Sequence, residues 1–288
     1  MAEPFTFGIP LIARSAARNW PLVQALLELT LTSVHSQTAQ DFHIVIAGHD
    51  RPDLPLDDAR TTFIRADWPA EAVSADNLDS GRKKHAINEL VLARGGGLLM
   101  FLDADDWIDV RLVAASRAMI GPDHVGGLIG TGFATDFRSL RRAAIPHPGI
   151  FDEEFHRICG SSTVARLAPD HPDPLRRDPC KVLHEHYRWI EVAREHRARL
   201  VRLPVCGNYV INTSENHSEI YGPFARWRRS FDEAVCREGD DIDETFAARF
   251  GLRLAQIRAV SASLFPRVQR SGSAREPPSF PHPQPAEG

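Results

Sequence analysis

The apolar residues of this chain fall into short unbroken runs that alternate with helical stripes. Residues 98–102, Leu-Leu-Met-Phe-Leu, carry no polar side chain and stop at Asp103, Asp105 and Asp106. Such a run fits a strand buried on both faces, as inside a parallel sheet sheathed by helices. Residues 5–12, 42–47 and 61–65 read as three further strands. Between the first two, Asn19-Trp20-Pro21 opens a helix, with Asn19 as its cap and the proline in its first turn. Leu22, Leu26, Leu29 and Ser33 then recur at helical spacing, and residues 81–93 suit a second helix. The alternation predicts an α/β fold: a mostly parallel, doubly wound sheet with helices on both faces.

The second half is less regular. Residues 110–119 read as a helix, 125–137 and 142–145 as strands around a turn, and 179–196 as helical throughout. Apolar runs follow at 200–205 and 209–211, then two helices at 224–236 and 243–265. The predicted organisation is one domain over 1–222, a helical extension over 223–267 and a disordered tail over 268–288. That tail, rich in proline and serine, has too little apolar surface to bury.

Charge and cysteine usage narrow the setting. A net charge of −4 offers no basic field for nucleic acid, so no nucleic-acid partner is expected. No apolar stretch approaches eighteen residues and no signal peptide opens the chain, which predicts no transmembrane segment and a cytoplasmic location. Arg226-Trp227-Arg228-Arg229 reads either as a solvated helix face or as a peripheral contact with the inner membrane. Cys159, Cys180, Cys206 and Cys236 show no CxxC spacing, as expected of reduced thiols.

Ligands of open α/β sheets bind beyond the carboxyl ends of the strands, where Asp103 and Asp105 stand. Unpaired carboxylates are costly there, and hard oxygen ligands select magnesium or manganese. Asp106 and Asp109 read instead as caps for the following helix. Asp241-Ile242-Asp243 repeats the spacing without a buried strand before it and reads as a turn or helix start. Lys83 and Lys84 follow Gly81 at a helix start, a phosphate-binding arrangement or a solvated basic turn. Helical neighbours diverge by about 100°, so one of the pair, Lys83, is expected to face a ligand. Asp79 caps the same helix or reaches a nucleoside.

These residues resemble a family 2 glycosyltransferase of the GT-A fold. The resemblance rests on Ser33-Val34-His35-Ser36-Gln37-Thr38 leading into 41–46, on Gly81-Arg82-Lys83-Lys84, and above all on Leu102-Asp103-Ala104-Asp105-Asp106. Leu203-Pro204 with Tyr209, then Asn216-His217-Ser218, extends it loosely to about residue 220. It implies transfer of a sugar from a UDP- or GDP-linked donor to a hydroxyl on a glycan or lipid-linked acceptor, with inversion, as in polysaccharide biosynthesis. It further implies a Mn2+ or Mg2+ cofactor on Asp103 and Asp105, with the late His217 as a further ligand or as a plain loop histidine. Arg14 would stand at the donor rim.

Two departures matter. The family's second strand ends in Asp-Asp-Gly-Ser, whereas this chain has Gly48-His49-Asp50, leaving Asp50 as a shifted nucleoside contact. The family's catalytic base lies in a Glu-Asp pair, for which this chain offers Glu185-His186. Histidine titrates near neutrality unaided, so His186, with Glu185 beside it, is the candidate base. Trp107 and Trp189 read as core or wall. Two competing readings are a catalytically inactive GT-A-like nucleotide-binding module, and a sugar-phosphate nucleotidyltransferase. The second lacks support from Arg14-Ser15-Ala16-Ala17-Arg18, which carries no glycines.

Overall fold

Alternate residues of the central strands feed two different helices, and this decides the architecture. The computed structural model describes residues 2–56, 59–70, 77–183, 185–220 and 225–265. In chain order the first half comprises β1 (Phe5–Pro10), α1 (Trp20–His35), β2 (His43–Gly48), β3 (Thr61–Arg65), α2 (Leu78–Ala93) and β4 (Gly97–Phe101). Strand β1 pairs in parallel with β2 and β4, and β2 pairs in parallel with β3. Ile44, Ile46, Leu98 and Met100 pack with Val23, Leu27 and Val34 of α1. Val45, Ala47 and Leu99, one residue out of step, pack with Ile87 and Val91 of α2. Side chains alternate across a strand, so the two helices cover opposite faces. Asn19 caps α1 as predicted, its side chain accepting from Leu22 N at 3.2 Å.

The second half extends the sheet with antiparallel pairs. It comprises β5 (Trp107–Ile108), α3 (Leu112–Met119), β6 (His124–Asp136), β7 (Arg141–Ile145), β8 (Thr163–Leu167), α4 (Pro174–Arg177), α5 (Pro179–Val182), α6 (Trp189–Glu195) and β9 (Arg199–Ile211). Then come α7 (His217–Ile220), α8 (Ala225–Glu238), β10 (Asp240–Asp241), α9 (Glu244–Arg249) and α10 (Leu254–Leu264). The sheet runs β10-β7-β6-β8-β4-β1-β2-β3, with β8 antiparallel to both β4 and β6. Strand β9 runs parallel to β6 and antiparallel to β5. The α/β class expected of the sequence is thus observed, with parallel pairing among β1–β4 and between β6 and β9.

Three local expectations change. Residues 179–196 are not one helix: Glu185 is extended (φ −68, ψ 150) between α5 and a 3-10 turn at His186–Arg188. Tertiary bonds decide this, because Arg157 Nη1 takes the carbonyl of Tyr187 and the His186 ring takes that of His156. The helix predicted over 243–265 breaks at Gly251, whose φ of +67 suits a residue without a side chain. Asp241 lies in β10, and Asp243 caps α9 by accepting from Phe246 N at 2.7 Å. The extension is packed into the body: Phe246, Phe250 and Ile257 cluster with Trp107 and with Leu22 and Leu26 of α1. The predicted tail at 268–288 lies outside the described residues. Among the described residues no helix is long and apolar enough to cross a membrane.

Candidate active site

Beyond the carboxyl end of β4 lies a cavity of ≈ 900 Å³, with Asp103, Ala104 and Asp105 in its wall. The turn that carries them is held from three sides. Thr30 of α1 donates to the carbonyl of Ala104 at 3.0 Å. The N–H of Asp103 donates to Ser161 Oγ at 2.9 Å. Asp106, fully buried, accepts from Ser161 Oγ at 2.6 Å, from Val210 N at 3.0 Å and from Cys159 Sγ at 3.4 Å. Asp106 is therefore not a helix cap. It ties the turn to β9 and to the segment before β8, and burial together with the charge of Asp103 pushes its carboxyl up to about 7. Asp109 caps no helix either: it accepts from Arg111 N at 3.0 Å and pairs with that guanidinium, and α3 starts with no side-chain cap.

The two predicted ligands differ in their surroundings. Asp105 Oδ2 accepts from Asn216 Nδ2 at 2.9 Å, and Asn216 also donates to the Val210 carbonyl and accepts from Thr213 Oγ1. Asn216 is thus a fixed bracket that orients Asp105. Among the described residues no hydrogen-bond donor reaches the Asp103 carboxylate. Gly160 lies against it: a Cβ there would come 3.1 Å from Asp103 Oδ2. His217, the third predicted ligand, follows Asn216 in the same wall. Among the described residues no three His, Cys, Asp or Glu side chains gather as a metal-binding group. Two carboxylates opening on a cavity still fit a magnesium-like ion, which keeps water and phosphate oxygens in its other positions.

Glu185 and His186 reach the same cavity. Glu185 is exposed, whereas His186 is half-buried with Nδ1 2.6 Å from the carbonyl of His156. A carbonyl only accepts, so Nδ1 carries the proton and Nε2 keeps its lone pair. Burial lowers the His186 pKa, assisted by Lys84; the His156 carbonyl, Glu185 and Asp103 pull the other way and lose. The ring is therefore a neutral base with a fixed tautomer.

Lys83 and Lys84 both line the cavity. Lys83 is buried, paired with Asp79 one helical turn earlier. Asp79 does not cap α2; the cap position is Asn77, without a side-chain bond. Asp79 also accepts from Trp68 Nε1 at 2.9 Å. Burial pushes its carboxyl up, but the bonds from Lys83 and Trp68 outweigh that and leave it below the ordinary value. Lys84 stands 5.8 Å from the centre of the Phe101 ring.

Arg14 and Asp50 are not in this cavity. They line a second one of ≈ 280 Å³ with Trp20, Arg51, Phe63 and Arg65, where Arg14 N donates to Asp50 Oδ2 at 2.8 Å. Trp107 and Trp189 are core residues, 0% and 3% exposed. Asp106, Ser161 and Asn216 organise the site through partners distant in sequence, a role that no local pattern predicts. Arg228, in a stretch whose sequence reads as surface, is instead buried in the cavity wall.

No known protein family matches the chain, and no curated protein matches it. Among solved structures it is similar to a protein described as a nucleotide-diphospho-sugar transferase from Desulfovibrio desulfuricans G20, at 13% identity and a TM-score of 0.35, covering 84% of this chain and 100% of that one. It is similar to the galactosyltransferase LgtC at 9% identity and a TM-score of 0.37, over 85% of this chain and 99% of that one. The glycosyltransferase GlyE of Streptococcus pneumoniae TIGR4 gives 9% identity and a TM-score of 0.39, over 92% of this chain and 63% of that one.

Proposed function

We propose that this chain is a metal-dependent glycosyltransferase that moves a sugar from a nucleotide-diphosphate donor to a hydroxyl acceptor, with inversion. The observation that carries the reading is the convergence in one cavity of Asp103, Asp105 and a neutral His186. Asp103 and Asp105 would hold a manganese or magnesium ion. When bound, that ion supplies neutralisation of the charge developing on the departing diphosphate.

Everything else is work for the chain's own groups. Asn216 fixes Asp105, and Asp106 fixes the turn, so the carboxylates are oriented before any ligand arrives. Lys84 adds positive charge to the wall. The acceptor hydroxyl gives its proton to His186 Nε2 as its oxygen bonds to the anomeric carbon. The bond from that carbon to the diphosphate breaks, and the electron pair leaves on the diphosphate oxygen. Attack from the far side inverts the centre. The lowered pKa keeps the imidazole unprotonated and ready as a base at neutral pH.

UDP- and GDP-linked sugars incubated with Mn2+ and a mixed acceptor pool test the reading. Release of nucleoside diphosphate, lost in Asp103→Asn, is the expected result. An inactive nucleotide-binding module would bind the diphosphate and release none. A nucleotidyltransferase would instead form nucleotide sugar from nucleoside triphosphate and sugar phosphate.

A further inference from the structure

Helix α8 brings a charged side chain into the cavity wall whose hydrogen-bonding capacity the described residues leave partly unmet. Arg228 is 2% exposed and lines the cavity, yet its Nε and Nη2 meet no hydrogen-bond acceptor among the described residues. Its near neighbours are rings: the guanidinium carbon lies 4.3 Å from the centre of Tyr209, 5.1 Å from Phe231 and 6.0 Å from Trp227. Ring faces attract the charge but do not replace oxygen acceptors. Asp232, one turn further along α8, comes only to 3.9 Å from Nε, beyond hydrogen-bond length.

Burial brings the guanidinium down to about 10, with Asp232, Cys159, Asp106 and Asp105 pulling it up, so it remains charged at neutral pH. A buried cation with unmet N–H groups is expensive, and breaking such a group's pairing is usually strongly destabilising. The planar fork of Nε and Nη2 matches the paired oxygens of a phosphate or carboxylate. A ligand entering the cavity that Arg228 lines can supply such oxygens. Arg228 lines the same cavity as Asp103, Ala104 and Asp105, which places it in one wall with the carboxylate-bearing turn.

We propose that Arg228 is an oxyanion anchor that takes a phosphoryl group of the ligand filling the cavity. The identity of that ligand rests on the transferase reading; the chemistry of the anchor does not. The phosphoryl group belongs either to the donor's diphosphate or to a phosphorylated acceptor. In the first case the diphosphate is held between a cation on Asp103 and Asp105 and the guanidinium. That arrangement accounts for a metal site with only two acidic side chains of its own.

Titration calorimetry on the full chain tests this, with inorganic pyrophosphate, UDP and GDP as probes, each with Mn2+ and with chelator. The proteins are wild type, Arg228→Met, Arg228→Lys and Asp105→Ala, with a ligand-free melting curve for each. Pyrophosphate should bind wild type and lose at least tenfold in affinity in Arg228→Met. The ligand-free Tm of that variant should fall, because Asp232, 3.9 Å from Nε, loses its buried partner, so the affinity is read below that Tm on folded protein. Arg228→Lys keeps the charge without the fork and should fall between. A parallel loss for UDP or GDP assigns the phosphoryl group to the donor. Loss for pyrophosphate alone assigns it to the acceptor.

A wild type that fails to bind pyrophosphate, or Arg228 variants that bind it unchanged, would overturn the anchor. If Arg228→Met does not fold, Arg228→Lys decides: a structural role predicts a lower Tm with unchanged affinity, an anchor predicts weaker binding. Asp105→Ala separates the two ideas. An anchor without the transferase reading gives Arg228-dependent binding that ignores Mn2+ and tolerates Asp105→Ala. The transferase reading without the anchor gives the reverse.

Discussion

Asp103 and His186 both border the space that a side chain on Gly160 would fill. A Cβ built on Gly160 would stand 3.1 Å from Asp103 Oδ2 and 3.9 Å from His186 Cδ2. The residue between a candidate metal ligand and the candidate base is thus one with no side chain, and the space it leaves belongs to the cavity.

Gly160→Ala should therefore affect turnover more than stability. The added methyl crowds the Asp103 carboxylate, a side-chain end that can shift into the cavity. The expected result is a fall in kcat/KM of about tenfold or more, equal to roughly 1.4 kcal/mol of transition-state stabilisation. Tm should move by no more than a few degrees. Steady-state kinetics beside a melting curve checks it, and undiminished activity would show that the gap is idle.

The His186 ring fixes the direction of the pH dependence. Its folded-state pKa lies below the ordinary 6.5, with burial as the leading cause. A base must be unprotonated, so activity should hold as pH falls through 6.5 and decline only below that, at the depressed value. The same shift makes the unfolded chain bind the proton first, so this group's contribution to stability is full above 6.5 and is lost as pH falls below it. His186→Gln should remove the acidic limb of the kcat/KM profile and lower kcat by about 10²–10⁴-fold. A wild-type limb centred above 6.5 would contradict this assignment.

Asp106 makes a prediction about stability. It is the shared acceptor for Ser161, Val210 and Cys159, which lie far from it in sequence. Asp106→Ala leaves those buried donors without an acceptor and should cost about 3 kcal/mol by urea denaturation. Asp106→Asn keeps a carbonyl oxygen for the Val210 N–H and should cost less. Equal costs for the two variants would mean that packing rather than hydrogen bonding holds the turn.

The parts legible in the sequence are those set by local pattern. The buried runs behind Phe7, Ile44 and Leu99 gave their strands, and Asn19-Trp20-Pro21 gave a helix start that its own side chain caps. The position of Asp103 and Asp105 in the cavity wall is legible because a buried strand ends just before them. Asp106 is not: its neighbours in sequence suggest a cap, and only partners on distant segments make it a buried acceptor. Residues 179–196 keep helical spacing, yet the bonds from Arg157 and His186 to distant carbonyls break the helix. Arg228 sits in a basic tetrad that reads as surface, and its burial depends on Tyr209 and Phe231 closing over it.

The central claim is that Asp103 and Asp105 hold a divalent cation carrying a diphosphate. The most direct measurement is the thermal stabilisation of wild type and Asp105→Ala by UDP and GDP, with Mn2+ and without it. A ligand at a hundred times its Kd adds about 2.7 kcal/mol to the folded state. Wild type should show a metal-dependent rise in Tm with at least one of the two nucleotides, and Asp105→Ala should show none. Equal shifts in the two proteins, or a wild-type shift indifferent to Mn2+, would contradict it.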